Sequence, residues 1–164
     1  MQTHIGIGVG RIIEEKFLNA KDIIFVSSPT ISPTIAKKLI ELTEKGIKIK
    51  MITSEPYHKE DKEAIKILQE RNQKNMIELK VVDYNQAALI HAKIFIIDER
   101  FVITGSANLT EKSFFKLPEY IIIQNKKEEI KKIKNDFDDM WNFYQNESLK
   151  NIAKKRIKKL IRKL

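Results

Sequence analysis

The sequence has no cysteine among its 164 residues, which excludes disulfides and thiolate-held metal sites and leaves the redox compartment open. It also has no apolar run of membrane-spanning length. The first residues, MQTHIGIGVGRIIEEKF, hold only a short apolar stretch broken by glycines and followed at once by Arg11, Glu14 and Glu15. They lack the basic start, longer apolar core and small-residue cleavage site of a signal peptide. A cytoplasmic protein is the simplest expectation from these absences. Histidine is scarce, at three residues. His4 reads as an N-terminal surface residue and His58 as a loop or helix-start residue, neither with a role. No cluster of carboxylates and histidines has the spacing of a metal site, so no metal or other cofactor is expected. There is no internal repeat.

What the chain does have is enough length for one domain with a substantial core, and too little for two of ordinary size. Its apolar content of 42% and charged content of 32% fit a soluble globular protein. The net charge of +9 is unevenly placed: residues 148–164 carry eight basic and no acidic side chains. These are Lys150, Lys154, Lys155, Arg156, Lys158, Lys159, Arg162 and Lys163. Leu149, Ile152, Ala153, Ile157, Leu160, Ile161 and Leu164 recur between them at intervals of three or four, so the tail reads as a basic amphipathic helix. Such a helix can dock on the core, contact nucleic acid, or lie on an anionic lipid surface. Lysine outnumbers arginine, which favours nonspecific phosphate contact over base reading. The expected division is a catalytic domain over 1–147 and this tail over 148–164.

Helical and strand patterns alternate along the chain. Helical spacing over 8–20 is followed by a short buried strand at 22–27. Ser32-Pro33 opens a helix closed by Gly46, and 47–53 alternates as a strand. A charged amphipathic helix near 58–72 precedes a strand at 76–82 and a polar loop at 83–88. Residues 89–97 are almost wholly apolar apart from His91 and Lys93 and read as a buried strand. A hairpin then leads to a second apolar segment at 101–104. Residues 109–117 look irregular, 120–124 reads as a strand, and 126–146 as a long helix. The expected fold is α/β, a mixed sheet flanked by helices on both faces, with a C-terminal basic helix.

The chemistry concentrates in IHAKIFIIDERFVITGSANLT, residues 90–110. Side chains two apart on a strand share a face, so His91 and Lys93 point into the same space. A two-residue turn centred on Glu99 and Arg100 sets His91 opposite Asn108 and Lys93 opposite Ser106; a shift of register by one leaves the shared face within each strand intact. An imidazole able to act as nucleophile, a cation and two small polar groups then meet at one end of the hairpin, which suits a phosphodiester. A lysine in a buried strand is costly unless it meets an anion, and phosphate is one.

This segment resembles the signature of the phospholipase D superfamily, HxK(x)4D(x)6GSxN, at every position: His91, Lys93, Asp98, Gly105, Ser106 and Asn108. Glu119 falls where that family usually carries a downstream acid that holds the histidine. The resemblance covers roughly residues 5–146 and implies an α/β/α fold. It also implies phosphoryl transfer through a phosphohistidine. His91 is then nucleophile, Lys93 and Asn108 hold phosphate oxygens, Ser106 lies near them or orders Glu119, and Asp98 and Gly105 are structural. The sequence has only one HxK, and similarity to small single-motif endonucleases implies a homodimer whose two-fold axis brings two motifs into one site. The first expectation is a metal-independent nuclease acting on DNA, with RNA second, and with little sequence preference. The alternatives are a lipid phosphodiesterase, and a noncatalytic nucleic-acid-binding module or nuclease domain that serves a partner.

Overall fold

The computed structural model describes residues 1–72, 75–83 and 90–145. In chain order its strands are β1 (Gln2–Ile7), β2 (Ile23–Ser27), β3 (Lys48–Ser54), β4 (Ile77–Val82), β5 (Ile94–Ile97), β6 (Phe101–Gly105) and β7 (Pro118–Gln124). Its helices are α1 (Gly10–Leu18), α2 (Pro33–Glu44), α3 (Lys59–Glu70), α4 (Glu111–Phe115) and α5 (Lys127–Gln145). The strands form one sheet in the order β1-β7-β6-β5-β2-β3-β4. β2, β3 and β4 run parallel, joined through α2 and α3. The other pairings are antiparallel.

The central strands read as unbroken apolar runs because both of their faces are covered. Ile24, Val26, Ile49, Met51, Phe95, Ile97 and Ile103 pack with Ile13 and Phe17 of α1, Leu39 of α2, Leu68 of α3 and Phe114 of α4. On the opposite face Phe25, Ile52, Ile96 and Val102 pack with Ile130, Phe137 and Trp141 of α5. The spacing of those α5 residues puts them on one stripe of the helix. The expected mixed sheet with helices on both faces is thus the observed one, with four helices on one side and α5 on the other.

Four sequence expectations change. The N-terminal segment read as a glycine-broken apolar stretch is edge strand β1, paired with β7. The irregular stretch at 109–117 contains the single-turn helix α4, capped by Thr110, whose hydroxyl accepts from Ser113 N at 3.1 Å. β5 begins only at Ile94, so the expected buried strand from residue 89 is shorter, and His91 is exposed rather than buried. Finally, the hairpin turns at Asp98 and Glu99, both with positive φ (52° and 50°), and Arg100 N donates to Ile97 O at 2.9 Å. The register is Ile97 opposite Phe101 and Ile94 opposite Thr104, one residue away from the pairing that set His91 against Asn108. A carboxylate residue tolerates this left-handed conformation better than the apolar residues beside it, which moves the turn onto Asp98.

Candidate active site

The parallel strands β2, β3 and β4 all end on the same edge of the sheet, and antiparallel β5 begins there. The C-terminal edge of a parallel sheet is where α/β folds place ligands. Two short polar runs hold the signature to this edge. Ser27, the last residue of β2, donates its hydroxyl to Ala92 O at 3.0 Å, between His91 and Lys93. The next residue, Ser28, accepts Leu109 N at 2.9 Å, one residue past Asn108. Ser54 at the end of β3 donates to Ile90 O at 3.2 Å. Consecutive serines of one strand end therefore bind both halves of the signature. Sequence reasoning missed these three serines, although a small hydroxyl closing an apolar strand (DIIFVSS, MITS) is a visible signal.

The motif side chains gather around this frame. His91 is exposed, and Lys93 Nζ lies 3.3 Å from its Nδ1 and 3.4 Å from its Nε2 while donating to His91 O at 2.9 Å. Burial holds the pKa of Lys93 below the usual lysine value, and the charge of Glu119 partly opposes that shift. Lys93 and Glu119 are thus electrostatic neighbours. Ser106 donates its hydroxyl to Glu119, accepts Tyr120 N at 3.0 Å through the same oxygen, and donates its own N–H to Tyr120 O at 3.0 Å. Among the described residues Glu119 has no hydrogen bond to His91. Asn108 Oδ1 is buried without a hydrogen-bond partner among the described residues. Rotating that amide presents Nδ2 to the same space, a donor suited to a phosphate oxygen.

Asp98 and Gly105 lie behind the site. The Asp98 carboxylate accepts the backbone N–H of Lys21, Asp22 and Ile23 at 2.9, 2.9 and 3.1 Å, and Asp98 N donates to Ile23 O at 2.8 Å. The hairpin tip is thereby fastened to the start of β2. Gly105 leaves room for β7: a Cβ there would sit 2.1 Å from Tyr120 O and 2.9 Å from Ile121 Cα. Gly105→Ala is expected to destabilise the fold by about 3 kcal/mol through overpacking against backbone. At this chain length that lowers the melting temperature by roughly 6–12 °C. A thermal melt within about 2 °C of the parent would show that β6 and β7 can separate at no cost.

Among the described residues no group of three or more His, Cys, Asp or Glu side chains is placed to hold a metal ion. No described helix is long and apolar enough to cross a membrane. The eight basic residues from Lys150 to Lys163 lie outside the described residues. His91 is exposed, so its imidazole is open to solvent.

Comparison with known proteins gives a consistent result. The model described as "Cardiolipin synthase, PLD-like domain" matches residues 13–141. The fold is similar to that of Nuc from Salmonella typhimurium, described as a phospholipase D family member, with a TM-score of 0.72 and 22% identity over 86% of this chain and 94% of that one. NucT from Helicobacter pylori is similar with a TM-score of 0.67 and 20% identity, over 86% and 94% of the two chains. TrmBL2, an archaeal chromatin protein described as showing a novel mode of DNA binding, matches with a TM-score of 0.62 and 15% identity over 86% of this chain and 52% of that one. At these identities the likeness is one of fold. No curated protein matches the sequence.

Proposed function

The chain belongs to the phospholipase D-like domain family, and from that premise we propose that it is a phosphodiesterase, a nonspecific endonuclease that hydrolyses DNA or RNA through a phosphohistidine. The observation that carries this reading is the meeting of His91, Lys93, Ser106 and Asn108 at one sheet edge, with the imidazole open to solvent and the lysine against it. A polymer substrate needs a site on the surface, and this one is there.

In-line displacement needs a nucleophile, a cation on the nonbridging oxygens and an acid for the leaving oxygen. His91 attacks phosphorus. A P–N bond forms as the bond to the leaving oxygen breaks, and that oxygen takes a proton from a second imidazole. Water then attacks the phosphohistidine, giving its proton back to the second imidazole as the P–N bond breaks. One histidine cannot be nucleophile and acid in the same step. The second imidazole is the partner's His91, supplied by a two-fold homodimer in which each copy contributes half of the site. Lys93 and Asn108 bind the phosphate oxygens. Ser106 fixes Glu119, which keeps a negative charge near the Lys93 ammonium and so favours its protonated form. No step in this scheme requires a metal. The basic residues from Lys150 to Lys163 extend the contact along the phosphate backbone.

A lipid phosphodiester offers the same reacting group, and the description of the matching family model names a cardiolipin synthase. A substrate panel separates the two readings. Labelled single- and double-stranded DNA, RNA and vesicles of anionic phospholipid are incubated with the protein in excess EDTA, with acid-labile, base-stable phosphate on His91 followed by mass spectrometry. Nucleic-acid cleavage with a trapped adduct on His91 is expected. Headgroup release with nucleic acid untouched would move the assignment to lipid, and nucleic-acid binding without turnover or adduct would leave a binding module.

A further inference from the structure

The three parallel strands end at the edge that carries the signature, and the loop after β3 raises an aromatic ring beside it. Residues 55–58, Glu-Pro-Tyr-His, join β3 to α3. Tyr57 there is 76% exposed, the most exposed Phe, Tyr or Trp side chain among the described residues; Tyr120 follows at 46%. A lone exposed aromatic is ordinary on a protein surface, but this one stands on a backbone fixed on both sides. Before it, Ser54 donates to Ile90 O at 3.2 Å, one residue from His91, and Glu55 N donates to Val82 O at 2.7 Å at the end of β4. Pro56 sets its own φ and restricts Glu55. After it, His58 N donates to Asp61 Oδ2 at 3.2 Å and the His58 ring accepts Asp61 N, which closes the first turn of α3. Asp61 is buried, and its other oxygen accepts Ile31 N at 3.4 Å. Ile31 in turn forms a bridge to Leu109, one residue past Asn108. The loop is thus tied to both halves of the signature. Tyr57 is three residues on from Ser54, about 10 Å of chain at full extension, so its ring lies within a few nucleotides of a phosphate held at His91 and Lys93.

We propose that Tyr57 is a stacking subsite for an unpaired nucleobase beside the scissile phosphate. The inference rests on the nucleic-acid reading above and deepens it, because a ring can take a base face only where no neighbour in a duplex already covers that face. The substrate is then a single-stranded segment of DNA or RNA. The charges of the loop favour a base over other occupants. Exposed Glu55 and Glu60 flank it, and Lys59 is the single cation between them. Such a segment is poorly suited to hold phosphate or to lie on an anionic membrane, whereas a neutral base needs only a flat apolar face. The His58 ring meets Tyr57 edge to face, with centroids 4.9 Å apart and planes at 86°. That contact limits rotation of the Tyr57 ring, and at its exposure a face remains open to solvent. A tyrosine held in this way loses little conformational freedom on binding, and stacking of one base on it is worth about fivefold to 150-fold in affinity.

The test uses the full-length chain and labelled single-stranded oligonucleotides in which one base at a time is replaced by an abasic linker. Binding is measured with His91→Ala, so that the strand survives, and cleavage with the parent. An abasic linker at one position near the cut is expected to weaken binding by about fivefold to 150-fold. Adding Tyr57→Ala is expected to make that position silent and to bring the intact strand to the same weaker affinity, a coupling that a purely structural tyrosine would not produce. In cleavage, Tyr57→Ala is expected to raise KM for single strands by the same factor with kcat unchanged, while Tyr57→Phe and Tyr57→Trp keep the parent KM. Duplex DNA and the base-free diester bis(p-nitrophenyl) phosphate are expected to be hydrolysed alike by parent and Tyr57→Ala, and all variants to melt like the parent. Cleavage by the parent with every abasic position equivalent, or an unchanged KM in Tyr57→Ala, would overturn the subsite and leave the phosphodiesterase reading intact. A loss in Tyr57→Ala confined to anionic phospholipid vesicles would assign the ring to lipid and overturn the proposal. A parent that binds single strands through Tyr57 without cutting them would keep the subsite and refute the endonuclease reading; one that neither binds nor cuts them would overturn both.

Discussion

His91→Ala is expected to abolish cleavage, lowering kcat by about 10⁴-fold to 10⁶-fold, the scale seen when a nucleophile acting as part of a catalytic unit is removed. Under the proposed two-copy mechanism the loss is this large because the substitution removes two groups at once, the nucleophile of one half-site and the acid of the other. Its effect on stability is expected to be small, since His91 is exposed and, among the described residues, its side-chain ring lies against Lys93 Nζ alone. Binding of uncleaved substrate is expected to survive, because Lys93, Asn108 and the basic tail remain. Mixing His91→Ala with parent protein adds a sharper measurement. If both imidazoles are needed in one site, a mixed dimer is dead, and activity falls with the square of the parent fraction under random exchange. A linear fall would show that each copy works alone.

Lys93→Met is expected to lower kcat/KM by about 10²-fold to 10³-fold, the cost of deleting one preorganised donor from a site of developing negative charge. Lys93→Arg keeps the charge but spreads it over a planar fork, so partial activity is expected. The pH profile distinguishes a phosphate clamp from a purely structural lysine. Burial lowers the pKa of Lys93, so the ammonium is fully present only below that lowered value and is lost as pH rises through it. The alkaline limb of kcat/KM is therefore expected below the ordinary lysine range in the parent. It should move lower still in Glu119→Gln, where the opposing charge is gone, and vanish in Lys93→Arg. The stability linkage has the opposite sign. Between the lowered value and the ordinary one the unfolded chain binds more protons, so this group makes the fold more stable as pH rises. Activity that falls while the melting temperature does not would place the effect in the site. An alkaline limb unchanged in Lys93→Arg would remove Lys93 from that limb.

The residues of the signature were legible because they are few, polar and fixed in spacing within an apolar background. His91 and Lys93 stand out in IHAKIFII as polar residues leading into an apolar strand, and Gly105, Ser106 and Asn108 follow at a set distance. The helices and inner strands were legible for the same kind of reason. Phe25 and Ile24, or Ile96 and Ile97, alternate between two covered faces, so unbroken apolar runs could only be central strands. Strand β1 was not legible. Its Ile5 and Ile7 alternate with Gly6 and Gly8, and the strand exists only through its ladder with β7, more than a hundred residues away.

The sequence by itself determined the family signature and which periodic faces are buried, since composition and spacing are local properties of a chain. Tertiary structure alone decided how those groups meet. Ser27 and Ser28 tie the two halves of the signature to one strand end, Ser106 takes Glu119 as its partner, Asp98 fastens the hairpin to β2, and the turn sets a register one residue from the expected one. Each depends on backbone donors and acceptors brought together from distant parts of the chain. Hydrogen bonds of this kind leave no periodic trace in sequence, because any small polar residue at the right place in space can make them.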